Sequence, residues 1–218
     1  MLKVNEIFYS IQGESSFAGL PCIFIRLTYC NLRCSYCDTE YAFFRGKDYT
    51  VESILTEIKK YNCNLIEVTG GEPLVQNESL ELMKTLRDGG YTVLLETGGS
   101  LPIKDVDKRV RIIMDLKTPS SGMAKKNDYA NFEHLKEGDE IKFVIGDEPD
   151  FLWATNVLHK NKLADKFTVL FSPVYGKLEP VKLAEWILSN NLPFSLAGKI
   201  RMQIQMHKYI WDPEMRGV

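Results

Sequence analysis

The sequence predicts an α/β fold built on a largely parallel sheet, and three observations carry that prediction. Apolar runs of strand length alternate with longer segments of helical period, the pattern of successive βα units. The C-terminal ends of those runs are polar, as expected where loops and helix N-termini converge over a parallel sheet. No internal repeat, low-complexity tract or Gly/Ser-rich linker divides the chain, so residues 1–218 are expected to form one domain around one core.

The first predicted strand is "CIFIRLTY" (22–29). Thr50 is a candidate N-cap, followed three residues later by Ser53 rather than the usual Glu, and Ile54, Leu55, Ile58 and Tyr61 mark one apolar helical face behind it. "NLIEVTG" (64–70) is the second strand; Leu80, Met83 and Leu86 then predict a helix that Gly89-Gly90 stops. Only "GGSLPIKDVDKRV" separates the strands "YTVLLET" (91–97) and "RIIMDLK" (111–117), too short and too polar for a full crossover helix. That is a departure from a regular barrel. Residues 118–139 are the longest stretch without periodicity and a candidate lid. Strands at 140–146, 167–173 and 200–205 complete the sheet, with helices at 151–159 and 181–188.

An apolar fraction of 44% and a charged fraction of 26% describe an ordinary globular chain, and a formal net charge of -2 gives no nucleic-acid surface. The N-terminal "MLKVNEIFYSIQGE" lacks the charged and apolar regions of a signal peptide, and nowhere do apolar residues run long enough to span a membrane, so a cytoplasmic protein is expected. In that reducing compartment an odd count of five cysteines argues against disulfides. Cys22 and Cys63, in the apolar settings "PCIFIRL" and "NCNLIEV", are expected to be buried.

The other three fall in "YCNLRCSYCDTEY" (29–41), where Cys30, Cys34 and Cys37 form C-x3-C-x2-C at the end of the first predicted strand. Structural zinc takes four protein ligands, commonly as two knuckles; no second pair exists, and His134, His159 and His207 stand at no knuckle spacing. Three thiolates with one position left open suit an iron-sulfur cluster whose last iron binds something other than protein. Structural zinc or iron remains the alternative.

With the aromatic Tyr36 ahead of its third cysteine, the loop resembles that of the radical S-adenosylmethionine (SAM) superfamily. The resemblance implies a compact, incomplete (β/α) TIM-type barrel, a 4Fe-4S cluster on the three cysteines, and SAM chelated by the unique iron. "VTGGEP" (68–73) resembles that superfamily's Gly-Gly-Glu motif, whose glycines let backbone approach the SAM ammonium. By the same resemblance Tyr36, Cys37, Asp38, Gly71, Glu72, Asp115, Leu116, Lys117, Ser172, Pro173, Val174 and Tyr175 contact SAM.

"EIFYSIQGESSFAGLPCIFIRLTYCNLRCSYCDTEY" is similar to the N-terminal segment of the 7-carboxy-7-deazaguanine synthase family, and "TGGEP", "LETGG" and "QMHKYIWDPEMRGV" continue the similarity along essentially the whole chain. It implies a ring contraction of 6-carboxy-5,6,7,8-tetrahydropterin with loss of ammonia, started when a 5'-deoxyadenosyl radical takes hydrogen from C6, with SAM regenerated at the end. Ile11, Gln12, Gly13, Glu14, Arg26, Thr69, His207 and Val218 are then the substrate residues, and Thr39 the protein ligand to Mg2+. A homodimer served by an external electron donor of flavodoxin or ferredoxin type is implied, with no nucleic-acid or membrane partner. Ser15 departs from the pattern, since the family usually has glycine there. The competing readings are another radical SAM enzyme, such as a glycyl-radical activase, and a non-catalytic metal-binding protein; the first leaves "IQGE" unexplained and the second predicts stable zinc and no affinity for SAM.

Overall fold

The computed structural model describes residues 1–189 and 199–218. Nine strands form one sheet in the order β3-β1-β2-β4-β5-β6-β7-β8-β9. They are β1 (Leu2–Ile11), β2 (Pro21–Leu27), β3 (Lys47–Tyr49), β4 (Leu65–Gly70), β5 (Thr92–Thr97), β6 (Arg111–Leu116), β7 (Glu140–Ile145), β8 (Thr168–Pro173) and β9 (Ile200–Met202). From β2 through β9 every neighbouring pair is parallel. All seven expected strands are present, the last shorter than its apolar run although the Gln203 N–H still donates to the Phe171 carbonyl at 2.9 Å. The antiparallel edge made by β1 and β3 was not expected from the sequence.

Helices α1 (Val51–Ile58), α2 (Glu78–Asp88), α3 (Glu148–Asn161) and α4 (Pro180–Ser189) follow β3, β4, β7 and β8; α5 (His207–Ile210) is a single turn near the C terminus. Thr50 caps α1 by accepting the Ser53 N–H at 3.2 Å. α2 stops where expected: Gly90 adopts φ +85°, and the Tyr91 N–H turns back to the Leu86 carbonyl at 3.1 Å. α3 starts before its expected first residue because Asp147 caps it through the Asp150 N–H at 3.0 Å, with Pro149 in the first turn.

Period-two alternation sorts side chains between two faces of the parallel strands. Ile23, Ile25, Ile66, Val68, Val93, Leu95, Met114, Leu116, Phe143 and Phe171 point outward and pack under the helices in the main core. Phe8, Cys22, Phe24, Leu65, Leu94 and Ile113 form a smaller cluster on the inner face. Cys22 is fully buried there, as expected, whereas Cys63 is only half-buried and donates to the Pro21 carbonyl at 3.3 Å.

Between β5 and β6 no helix forms. Ile103, Val106 and Val110 are buried in its place. Residues 118–139, the candidate lid, are instead three short 3-10 turns fastened to the barrel. Asn131, fully buried, donates to the Gly99 and Leu101 carbonyls and accepts the Ile103 N–H at 3.1 Å, joining the two helix-free crossovers. Asn127 brackets Lys117, accepting its N–H and donating to its carbonyl, both at 2.9 Å.

Among the described residues no strand pair joins β9 back to the β1 side, so the barrel is incomplete. The loop after β1 spans that opening: the Ser15 N–H donates to Gln203 Oε1 at 2.7 Å, the Met206 N–H to the Gly13 carbonyl at 3.0 Å, and the Ser16 N–H to the Glu140 carboxylate. No helix among the described residues is long and apolar enough to cross a membrane.

Candidate active site

A cavity of about 520 Å³ occupies the inside of this open barrel, and Cys30, Cys34 and Cys37 all line it. The loop carrying them leaves the end of β2 through Tyr29, whose φ of +77° turns the chain sharply. Its fold is fixed from several sides. Leu32 is buried, its N–H pointing at Cys30 Sγ at 3.4 Å, and Arg33 lies over the Phe43 ring at 4.3 Å while donating to the Cys30 carbonyl at 2.8 Å. Ser35 is held to the turn at 119–121, its N–H on the Ser121 carbonyl at 3.0 Å and its hydroxyl on the Ser120 carbonyl at 2.7 Å. The Tyr36 hydroxyl contacts Thr118 Oγ1 at 3.1 Å and the Val144 carbonyl at 3.3 Å.

This donor set fits a cluster better than a zinc ion. Three half-buried thiols share one wall and no fourth cysteine reaches the cavity. Burial pushes the Cys34 thiol up to about 11, against the pull of Lys117, and raises Cys30 as well, so a metal held on these sulfurs would displace their protons. The Leu32 N–H aimed at sulfur is the kind of contact that stabilises a thiolate ligand.

The Gly-Gly-Glu turn at the end of β4 lies directly against this loop. A Cβ at Gly71 would overlap the Tyr29 carbonyl, and the Glu72 N–H donates to that same carbonyl at 2.8 Å. Glu72 is completely buried: its carboxylate takes the Leu74 N–H at 3.1 Å, the Thr97 hydroxyl at 2.9 Å and the Gly98 N–H at 2.7 Å. The side chain is spent on tying β4 to β5, so the backbone of the turn is what remains for a ligand.

Deeper in, the cavity wall is ionisable. Lys142, on β7, meets Glu14 Oε2 at 2.8 Å, Glu96 Oε1 and, at 3.8 Å, Asp115 Oδ2; Lys117 pairs with Asp115 Oδ2 at 2.8 Å. Burial pulls the Lys142 ammonium down, yet the facing carboxylates outweigh it and hold it well above its ordinary value. Burial likewise raises Glu14, but the charges of Lys142 and His207 with hydrogen bonds from Lys142 and Gln205 bring it below the usual range. Glu67 has the opposite fate: burial, then Glu96 and Glu14, push it well above that range, and the Gln12 amide donates to its Oε2.

Relatives agree with this geometry. The radical SAM superfamily model matches residues 24–138, a stretch that holds the cysteine loop, the Gly-Gly-Glu turn and Lys117. The 7-carboxy-7-deazaguanine synthase of Chlorobaculum tepidum is 47% identical over all of this chain and 97% of its own length, and that of Koribacter versatilis is 40% identical over the whole of both. The chain belongs to the 7-carboxy-7-deazaguanine synthase family. A crystal structure of QueE from Escherichia coli shares its fold with a TM-score of 0.75 at 21% identity, covering 94% of each chain. The open, mostly parallel sheet is therefore the partial TIM-type barrel of the radical SAM enzymes. Membership implies a 4Fe-4S cluster and SAM, which the three thiols and the glycine turn fit.

Most of the residues assigned from family resemblance come together around the one cavity. Ile11 lines it from the end of β1, Gln12, Gly13 and Glu14 from the β1–β2 loop, Arg26 from β2, Tyr36, Cys37, Asp38 and Thr39 from the cysteine loop, and Thr69, Gly71 and Glu72 from the end of β4 and its turn. Asp115, Lys117, Val174, Tyr175, His207 and Val218 complete this set. Leu116 is not brought there: strand alternation turns its side chain into the main core. Ser172 is buried with its hydroxyl unpaired and is not part of the cavity lining, and Pro173 borders a smaller neighbouring cavity. Arg26 is already engaged, its Nε donating to Glu6 Oε1 at 2.7 Å.

The lining also includes Glu67, Glu96, Lys142 and Gln205, none of which was assigned a site role from the sequence. A signal for the acids was present. On four strands an apolar inner residue is followed two positions later by an ionisable one: Phe24 and Arg26, Leu65 and Glu67, Leu94 and Glu96, Ile113 and Asp115.

Proposed function

We propose that this protein is a 7-carboxy-7-deazaguanine synthase, converting 6-carboxy-5,6,7,8-tetrahydropterin into 7-carboxy-7-deazaguanine and ammonia. The observation that carries the reading is one cavity lined both by three cysteines without a fourth and by the Gln12-Gly13-Glu14 loop. Cys30, Cys34 and Cys37 would hold the 4Fe-4S cluster, and the backbone at Gly70 and Gly71 would receive SAM. When bound, cluster and SAM supply reductive cleavage to a 5'-deoxyadenosyl radical, which opens the reaction by removing one hydrogen from the substrate.

The protein's own part is orientation and exclusion of water, because a primary radical attacks any C–H bond within reach. Glu14 and Gln12 accept and donate along the pterin edge, while Arg26, its Nη atoms unpaired among the described residues, receives the substrate carboxylate as a charge-assisted pair. Thr39 precedes the 3-10 turn Glu40–Ala42 without capping it, and its hydroxyl, which meets Cys37 Sγ at 3.8 Å, would serve as the single protein ligand to Mg2+, the other positions going to substrate and water. His207 packs over Gly13, and Val218 brings the C-terminal carboxylate to the same cavity. The enzyme works as a cytoplasmic homodimer, drawing electrons from a flavodoxin or ferredoxin.

Anaerobic reconstitution with iron and sulfide followed by reduction is expected to give a brown protein that forms the deazaguanine product, identified by mass spectrometry, and that turns over faster with Mg2+. Reconstituted enzyme that cleaves SAM and leaves this pterin unchanged removes the assignment.

A further inference from the structure

Lys142 is the residue that the cavity's other features do not explain. Its side chain is 4% exposed and its ammonium faces three carboxylates contributed by three different elements: Glu14 from the β1–β2 loop at 2.8 Å, Glu96 from β5, and Asp115 from β6 at 3.8 Å. Asp115 has its own cation in Lys117, at 2.8 Å, so Lys142 serves chiefly Glu14 and Glu96. A buried ionic group of this kind contributes little net stability compared with apolar side chains of the same volume. Stability alone is therefore a poor account of it.

What the lysine does achieve is geometric. Glu14 is fixed at both oxygens, by Lys142 on Oε2 and by Gln205 Nε2 on Oε1 at 3.1 Å. Glu96 is fixed at Oε1, and its Oε2 has no protein donor among the described residues. Each ionised carboxylate accepts about four hydrogen bonds, so both keep acceptor capacity directed into the cavity they line.

We infer that Lys142 is a positioning residue for the substrate, holding the Glu14 and Glu96 carboxylates side by side as acceptors for the N–H groups of the aminopyrimidine ring. The inference rests on the pterin reading above and adds Glu96 to the substrate-binding set. It also orients the ring. The Lys142 ammonium is already matched by carboxylates, so the substrate's own carboxylate is left to Arg26 on β2, whose Nε is held by Glu6 and whose Nη atoms have no protein acceptor among the described residues, and the N–H-rich edge faces β5 and β7. The depressed Glu14 and elevated Lys142 agree with an ion pair that is charged before substrate arrives.

The test is steady-state turnover of 6-carboxy-5,6,7,8-tetrahydropterin by Lys142→Met and Glu96→Gln, with cluster absorbance and the Kd for SAM measured on each. KM for the pterin is expected to rise at least tenfold in both, the loss falling on KM rather than on kcat, with cluster and SAM affinity at wild-type values. A KM within twofold of wild type, or a loss confined to kcat, overturns the inference. If Lys142→Met fails to hold its cluster, Glu96→Gln decides alone, because it keeps the lysine and the shape of the side chain. Wild-type enzyme that leaves the pterin unchanged sinks the substrate assignment and this inference together; wild-type turnover with unaltered variants sinks the inference only.

Discussion

Two residues other than glycine hold left-handed backbone beside the chemistry, Ser15 at φ +64° and Tyr29 at φ +77°. Each costs about 1–2 kcal/mol relative to a right-handed conformation and persists only where its surroundings fix it. Ser15 is fixed by its N–H on Gln203 and its hydroxyl on the Phe17 N–H at 3.2 Å, which also shows why a glycine suits the position. Ser15→Gly is expected to leave Tm unchanged or raise it slightly, while Ser15→Val lowers stability by about 1–3 kcal/mol in thermal denaturation. Tyr29 is clamped by the Ala42 carbonyl on one side and the Glu72 N–H on the other. Gly71→Ala drives a methyl into that clamp, so a loss of about 1–3 kcal/mol and a lower iron content after reconstitution are expected together; full iron loading in that variant would disprove the coupling. Glu67 gives a pH signature. Because its folded-state pKa is raised, it takes up a proton on folding, and its contribution to stability is present at low pH and lost as pH climbs from the unfolded value through the folded one. Glu67→Gln cannot titrate, so the Tm difference between it and wild type is expected to move in the variant's favour as pH rises above the ordinary glutamate value of 4.5; a difference that stays constant above that pH contradicts a raised Glu67.

At the scale of elements, the crossovers on either side of β6 show how a barrel does without helices. Ile103, Val106 and Val110 supply the apolar cover, and Asn131 bonds three backbone groups of the first crossover, among them the buried Ile103 N–H. Asn131→Ala is expected to cost about 2–3 kcal/mol, a fall of roughly 5–10 °C in Tm, with the cluster still assembled at low temperature. The missing helix between β5 and β6 was legible, because thirteen mostly polar residues cannot form a crossover helix. The fastening of 118–139 was not, since it depends on side-chain amides meeting distant backbone, which periodicity does not encode. β1 escaped for a related reason: its residues are half-buried on both faces, so "LKVNEIFYSI" carries no clean alternation. The cysteine loop was legible from its spacing, and the glycine turn from its resemblance to the superfamily's Gly-Gly-Glu motif. The acids of the cavity floor were written in the sequence too, as "LIE", "LLE" and "IMD", but a search confined to strand ends passes over Glu67, which sits three residues before the end of β4.

The whole molecule is an open barrel whose gap and mouth are closed by loop and tail instead of strands. On one side the β1–β2 loop bonds to Gln203, Met206 and Glu140; on the other, Gln205 bridges Glu14 and Asp38, and Lys208 pairs with Asp38 at 3.2 Å. The tail then lies along the cavity as far as Val218, with the Arg216 guanidinium 4.0 Å from the Tyr41 ring centroid. Tyr41 in turn donates to Glu6, the partner of Arg26, so the tail rests on the same group of side chains proposed above to receive the substrate carboxylate. An exposed cation–π contact of this kind is worth about 0.5–1 kcal/mol, enough to change the ratio of closed to open tail about two- to fivefold. Arg216→Ala is therefore expected to leave the cluster intact and to admit water during turnover. Where SAM is regenerated in each cycle, as the family resemblance implies, free 5'-deoxyadenosine measures that leakage directly, and its yield per deazaguanine formed is expected to rise by about the same two- to fivefold. An unchanged ratio, measured by chromatography of single-turnover reactions, would show that the tail's seat on Tyr41 plays no part in sealing the site.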